Sequence, residues 1–342
     1  MRAMQLESIS KLDDKSSPLK LVNLPIPEPK EQEIRIKINA CGVCHTELDE
    51  IEGRTPPAFL PIILGHEIIG QVDKLGPGAT SYKLGDRVGV GWIHSSSGTA
   101  DENLVEEFKA TGRDVNGGYA EFVTIPEKYV FPIPEIFDDF EAAPLLCAGG
   151  VGYRALKLTQ LKDGNSLGLT GFGGSGHIVL QLCRHLFPKS EIYVFARNKQ
   201  ARDFAIELGA DWAGATEESP PKKLDAIIDT TPAWKPIVEA LNSLKPGGRL
   251  VINAIRKEGD DKDYLQNLSY EKHLWMEKEI KTVANVTGSD LAKFLPIAAK
   301  IPIKPKIELY PLIEANRALI ELKQGDIKGA KVLLIGENGS ST

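Results

Sequence analysis

Side chains far apart in the sequence have the donor types that hold a transition metal. Cys41 and Cys44 stand in the run Cys41-Gly42-Val43-Cys44-His45-Thr46-Glu47, His66 in Ile63-Leu64-Gly65-His66-Glu67, and Cys147 in a glycine-rich stretch much further on. Two thiolates and an imidazole gathered round one ion leave a tetrahedral position open, which is the donor set of a catalytic zinc. Three protein ligands leave room for a substrate on such an ion. The spacings are long, and spacing alone does not assemble the set: a buried cysteine is often a small apolar side chain, and a single histidine often a satisfied core group.

A second cluster is Gly171-Phe172-Gly173-Gly174-Ser175-Gly176, a G-x-G-x-x-G that follows the apolar run Ser166-Leu167-Gly168-Leu169-Thr170. Where a strand, a tight turn and a helix meet, such glycines cradle the pyrophosphate of a dinucleotide. Gly171 permits the turn, Gly173 lets the main chain approach the phosphates, and Gly176 lets the helix close on the sheet. Gly174 and Ser175 open the helix, whose first N–H groups face the anion. At the end of the next strand, where a carboxylate would accept the ribose hydroxyl of NAD, the chain has Ala196 and Arg197. A small neutral residue followed by an arginine admits and pairs with the 2′-phosphate of NADP, so NADP is expected in preference to NAD. The alternative leaves Arg197 a solvated charge, or stacked on adenine in an NAD enzyme.

The elements that must position these groups fall into two rhythms. The first third alternates apolar and charged residues, as in Glu33-Ile34-Arg35-Ile36-Lys37-Ile38, and is punctuated by glycine, an all-β pattern. From Asn165 the order becomes strand, helix from about Ser175, strand at 191–196, helix from about Lys199 and strand at 224–229, which is βαβαβ and implies a parallel sheet. Ile178, Leu182 and Leu186 share one face of the first helix, with Val179 and Cys183 beside them. A helix near 237–244 stops at Pro246-Gly247-Gly248, a strand follows at 249–253, and another apolar run lies at 280–283.

The 342 residues carry 42% hydrophobic and 26% charged side chains and a formal net charge of −6, ordinary for a folded globular protein, and the length suggests two domains, although one large barrel could reach it; with the strand–helix rhythm the fold class is α/β. The acidic balance argues against nucleic acid as a partner. No apolar run is long enough to span a membrane and the first residues lack the apolar stretch of a secretory signal, so a cytoplasmic location is expected.

The strings ACGVCHTEL, PIILGHEIIGQV, KLGDRVGVGW, TGRDVNGGYAEF, APLLCAGGVGYRALK and LTGFGGSGHIVLQL closely resemble, in order and over nearly the whole chain, the zinc-dependent alcohol dehydrogenases of the medium-chain dehydrogenase/reductase superfamily. The resemblance implies a GroES-like β-rich catalytic domain over 1–148 and 288–342 and a Rossmann domain, a doubly wound parallel sheet, over 149–287. It implies reversible hydride transfer between an alcohol and NAD(P)⁺, with Cys44, His66 and Cys147 as ligands of a catalytic zinc and Glu67 as a carboxylate able to join them. Thr46 matches the hydroxyl that takes the proton from the substrate oxygen. His45 and Lys331 match residues that touch cofactor phosphate, and the family's oligomers imply a homodimer or homotetramer. Glu47 is expected to orient His66 through its second ring nitrogen. Trp92 is expected to line the substrate slot or, alternatively, to pack in the core, and Cys41 to be structural.

Two departures stand out. Relatives with a second, structural zinc carry four clustered cysteines after the GW motif; here the stretch from Trp92 to Val105 has none, so one zinc per chain is expected, with hydrogen bonds or a subunit contact in place of the lost metal; the alternative to a solvated loop there is another ion held by His94 and the nearby carboxylates. Where many relatives end the proton relay on a histidine, this chain has Asp49, either a carboxylate acceptor or a mere surface charge with the protons leaving through ordered water. The rival functions are a zinc-free quinone or enoyl reductase of the same superfamily and a non-catalytic nucleotide-binding structural protein.

Overall fold

The strand Glu33–Val43 shows how the first sheet arises: Ile34, Ile36 and Ile38 point one way and are at most 1% exposed, while Lys37 faces solvent. The computed structural model describes residues 1–301, 303, 305–325 and 329–336. Its contacts divide the chain into two compact units, Met1–Cys147 with Val286–Thr342, and Ala148–Asn285.

Among the described residues of the first unit, seven strands make the main sheet. Their spatial order is Phe131–Pro132, Arg87–Val90, Ile68–Leu75, Glu33–Val43, Ala330–Leu334 and Ile307–Pro311, and Phe122–Pro126 pairs with the opening of Glu33–Val43. The last of the described strands therefore joins a sheet begun near the start of the chain: Lys331 stands opposite Val43, and Leu333 opposite Cys41. Cys41 itself is fully buried, its sulfur packed where a Cβ on Gly65 or Gly118 would intrude, so it is structural.

In the second unit six parallel strands run in the spatial order Trp212–Gly214, Glu191–Phe195, Ser166–Thr170, Leu224–Asp229, Leu244–Ile252 and Glu279–Thr282. Counted along the chain this is 3-2-1-4-5-6, the doubly wound arrangement of dinucleotide-binding sheets. The helix Gly174–Leu186 buries Ile178, Val179, Leu182 and Cys183 beneath it, and Leu186 is only half-buried. One boundary differs from expectation. Pro246-Gly247-Gly248 does not stop the chain before a strand; it lies within the strand Leu244–Ile252, where the register shifts between Leu224 and Ala226 and Gly247 adopts φ +70°. A glycine at positive φ lets the strand absorb the extra residues as a bulge.

The stretch that lacks cysteines, between the short strands Ile93–Ser95 and Lys109–Ala110, is held by a carboxylate. Glu102 is 4% exposed; its Oε1 accepts from Gly288 N at 2.7 Å, and its Oε2 lies 3.1 Å from Tyr129 Oη. Ser96 N donates to Tyr129 Oη at 3.1 Å, and Ser96 Oγ donates to the Glu102 carbonyl at 2.6 Å. Local hydrogen bonding thus ties this segment to the start of the helix Gly288–Lys300. Among the described residues no helix is long and apolar enough to cross a membrane. Replacing Glu102 by Ala orphans the Gly288 N–H and should cost about 1–3 kcal/mol. A calorimetric melt is expected to fall by several degrees, and an unchanged melt would show that the carboxylate does not hold the segment.

Candidate metal centre and nucleotide turn

The strand Glu33–Val43 runs directly into Cys44, the N-cap of the short helix His45–Ile51. Cys44 Sγ accepts from Thr46 N at 3.3 Å, which aims the sulfur along the helix start. Glu47, at the third helical position, closes the cap from the other side: its Oε2 accepts from Cys44 N at 2.9 Å. Its Oε1 lies 2.7 Å from His66 Nδ1, and both residues are at most 1% exposed. With Nδ1 engaged, Nε2 of the ring faces the sulfurs, and one buried carboxylate orients two candidate ligands.

The donor atoms converge. His66 Nε2 lies 3.6 Å from Cys44 Sγ, Cys147 Sγ lies 3.9 Å from Cys44 Sγ, and one ligand atom from each of Cys44, His66, Glu67 and Cys147 falls within 4.8 Å of the others. Zinc–sulfur bonds of about 2.3 Å and zinc–nitrogen bonds of about 2.0–2.1 Å at a tetrahedral angle set two sulfurs about 3.8 Å apart and sulfur and nitrogen about 3.6 Å apart. The set has the size and the donor chemistry for zinc. Left to themselves the thiols resist ionisation: the contact with Cys147 and then burial hold Cys44 well above the usual thiol range. A divalent cation reverses that balance, because thiolate is the form it binds. Burial pushes the Glu67 carboxyl up to about 8. Gly42 makes room for it: a Cβ there would fall 1.7 Å from Glu67 Oε2, so the glycine of CGVC is required by the carboxylate of GHE.

Thr46 follows Cys44 closely and is 8% exposed, and His45 is exposed at the start of the helix. Trp92 stands beside the metal set, its ring centroid 6.2 Å from that of His66, with Phe108 at 5.9 Å and the Arg113 guanidinium 5.3 Å over it. One alternative is removed and one expectation corrected. Asp49 is not a surface charge: it is fully buried and paired with Arg54 Nε at 2.6 Å. Lys331 is not placed as a phosphate contact. It is 2% exposed, and its ammonium donates to Glu308 Oε2 at 2.9 Å, Tyr310 Oη at 2.6 Å and Glu321 Oε2 at 3.0 Å. Three donors with three acceptors, two of them carboxylates, leave no charge to offer a nucleotide.

In the second unit the turn from Ser166–Thr170 into the helix Gly174–Leu186 has the form its glycines require. Gly171 adopts φ +79°, and a Cβ on Gly176 would come within 2.9 Å of the Gly171 carbonyl oxygen, whereas Gly173 and Gly174 face open space and Ser175 is half-buried. At the end of the next strand Ala196 is 5% exposed and Arg197 is exposed. Arg202, which the sequence did not single out, donates to the carbonyls of both Ala196 and Arg197 at 2.8 Å and fixes their main chain. Only its place one helical turn into Lys199–Glu207 hints at this in the sequence.

Residues 30–135 match the alcohol dehydrogenase GroES-like domain family. The chain is 39% identical to a probable alcohol dehydrogenase, AdhA, of Mycobacterium tuberculosis over 98% of its own length and 97% of the relative's. It is 32% identical to an alcohol dehydrogenase of Geobacillus stearothermophilus, covering 94% and 96% of the two chains. Among solved structures, a cinnamyl alcohol dehydrogenase of Sorghum bicolor superposes with a TM-score of 0.83 at 25% identity, over 100% and 99% of the two chains. A Helicobacter pylori structure, named CAD and complexed with NADP(H), shares the fold with a TM-score of 0.82 at 22% identity, over 98% of each chain. The chain belongs to the alcohol dehydrogenases of the medium-chain dehydrogenase/reductase superfamily.

Proposed function

We propose that this alcohol dehydrogenase carries one zinc per chain, held by Cys44, His66 and Cys147 with Glu67 as the neighbouring carboxyl, and prefers NADP to NAD. The observation that carries the reading is the meeting of two sulfurs and one ring nitrogen from distant segments at zinc-ligand spacing. A zinc-free reductase has no need of that convergence. Zinc in this set supplies Lewis-acid charge beside the reacting oxygen of an alcohol, aldehyde or ketone. The chain's own residues do the rest. Glu47 fixes the tautomer and direction of His66, and a ligating imidazole depends on such a partner. Thr46 takes the alcohol proton on its hydroxyl, Asp49 is the proposed end of that path, and Trp92 borders the substrate.

The nucleotide reading rests on Gly171, Gly173, Gly174, Ser175 and Gly176 for the pyrophosphate, with His45 as a further phosphate contact. Ala196 and Arg197 receive the 2′-phosphate, supported by the main-chain grip of Arg202. Structures with this fold have been solved with NADP(H) and, for an acetophenone reductase of Geotrichum candidum, with NAD, so the preference here is argued from Arg197. The cysteine-free stretch, pinned by Glu102, supports the reading of a single ion per chain. The edge strand Glu279–Thr282, exposed along its length, and the exposed Trp275 and Met276 before it support a homodimer or homotetramer formed on that edge.

Three measurements test the reading. Cys44→Ser should lose zinc by elemental analysis and lose turnover while keeping nucleotide binding; a metal-free protein with full activity would overturn it. Arg197→Asp should shift discrimination from NADP toward NAD by about 1.5–3 kcal/mol, roughly 10- to 150-fold in kcat/KM, as expected for a lost charge-assisted hydrogen bond, and unchanged discrimination would remove the argument for NADP. Light scattering should give a dimeric or tetrameric mass that falls on Ile280→Lys; a monomeric wild-type protein would sink the edge interface.

A further inference from the structure

The run Leu224–Asp229 is a buried strand that ends on a carboxylate, and that carboxylate is the hub of a network the metal chemistry does not use. Asp229 is fully buried. Its Oδ1 accepts from Thr170 Oγ1 at 2.5 Å and from Thr231 Oγ1 at 2.8 Å, and its Oδ2 accepts from Lys257 Nζ at 2.5 Å. The Lys257 side chain is 10% exposed, and its other two donors go to the carbonyls of Thr231 at 2.7 Å and Ala233 at 3.0 Å. The charges cancel and all three ammonium donors are used. A buried ion pair is often no more stabilising than apolar residues of the same shape, so its reason is better sought in geometry.

The place of the pair supplies that reason. The strand order 3-2-1-4-5-6 reverses between Ser166–Thr170 and Leu224–Asp229, and the crevice outside the carboxyl ends of strands at such a switch point is where α/β sheets bind ligands. Thr170 and Asp229 are the last residues of those two strands. Beyond them, Thr230 donates to the Thr170 carbonyl from both its N–H, at 2.9 Å, and its hydroxyl, at 3.0 Å. Thr230 and Thr231 form a wall against the glycine turn: a Cβ on Gly171 would lie 2.8 Å from Thr230 Oγ1 and 2.9 Å from Thr231 Cγ2. On the neighbouring strand's carboxyl end, Asn253 N donates to the Asp229 carbonyl at 2.7 Å, and Asn253 Nδ2 is a buried donor with no hydrogen-bond partner among the described residues. Buried donors are rarely left orphaned, and this one sits where a ligand is expected.

We propose that Asp229 and Lys257 are positioning residues for the dinucleotide, holding the Thr230–Thr231 wall against the glycine turn, and that Asn253 donates a hydrogen bond to the bound cofactor. The inference rests on the chain's use of NAD(P). The test is a fluorescence titration of NADPH and NADH against the full-length, zinc-loaded protein and its Lys257→Met, Thr231→Val and Asn253→Ala variants, with zinc content and melting temperature measured alongside. Lys257→Met should raise the cofactor Kd and KM at least tenfold while zinc content, kcat at saturating cofactor and KM for the alcohol stay within about threefold. The double variant Asp229→Asn, Lys257→Met should recover melting temperature without recovering affinity, a split that a merely structural pair would not give. Asn253→Ala should raise Kd with the melting temperature unmoved. If Lys257→Met does not fold, Thr231→Val, which deletes one hydroxyl, carries the same reading with a smaller rise. Wild-type Kd values in the folded variants would overturn the inference alone, whereas wild-type protein that bound neither nucleotide would overturn the cofactor reading and this inference with it.

Discussion

The contact on which the rest depends is the double engagement of Glu47. One oxygen caps the helix that begins at Cys44 and the other stands 2.7 Å from His66 Nδ1, so a single buried carboxylate joins the start of a helix, the cysteine at its cap and the imidazole. An imidazole with one nitrogen engaged has one way left to face, and it faces the two thiols. The hydrophobic alternation of Glu33–Val43 delivers Cys44 to that point, and Gly42 gives up its Cβ so that Glu67 fits beside it. The metal set is therefore a property of the strand-to-helix junction as a whole.

The nucleotide-binding unit reaches preorganisation by other means. Its turn is built from glycines because two of them meet main chain or side chain where a Cβ would stand, and its walls are held by hydrogen bonds between the ends of adjacent strands. Main-chain N–H groups at a helix start are fixed donors for an anion, and fixed donors lose little on binding. A ring of polar side chains at the carboxyl edge of the sheet would be costly if unsatisfied; here Asp229, Thr170, Thr231 and Lys257 satisfy one another.

Local pattern was enough for much of this. The alternation at 33–38, the apolar run at 224–229 and the stripe on Gly174–Leu186 reflect periodicities that neighbours in sequence set by themselves, and the glycine turn announces its backbone demands residue by residue. The metal set was legible only through resemblance to a family, since nothing local relates Cys44 to Cys147. Resemblance served Lys331 less well: it matches a phosphate-touching residue of the family, while its surroundings here are set by Glu308, Tyr310 and Glu321 on other elements. Asp49, Glu102 and Lys257 are likewise charged residues whose burial is set by partners that no periodicity reveals. The bulge at Pro246-Gly247-Gly248 shows the converse limit, where strong turn residues were absorbed by a strand because Leu244 was already paired with Leu224.

The pairing of Ala330–Leu334 with Glu33–Val43 also bears on how the protein is made. A ribosome releases the strand that carries Cys41 to Val43 early, yet its neighbour emerges only after the whole of Ala148–Asn285 has been synthesised. The sheet beneath the candidate metal ligands thus spends most of translation with one edge uncovered, while the contiguous nucleotide unit has all of its strands in hand. Nascent chains that stall before residue 330 would expose that open edge, and with it the segment most in need of a partner.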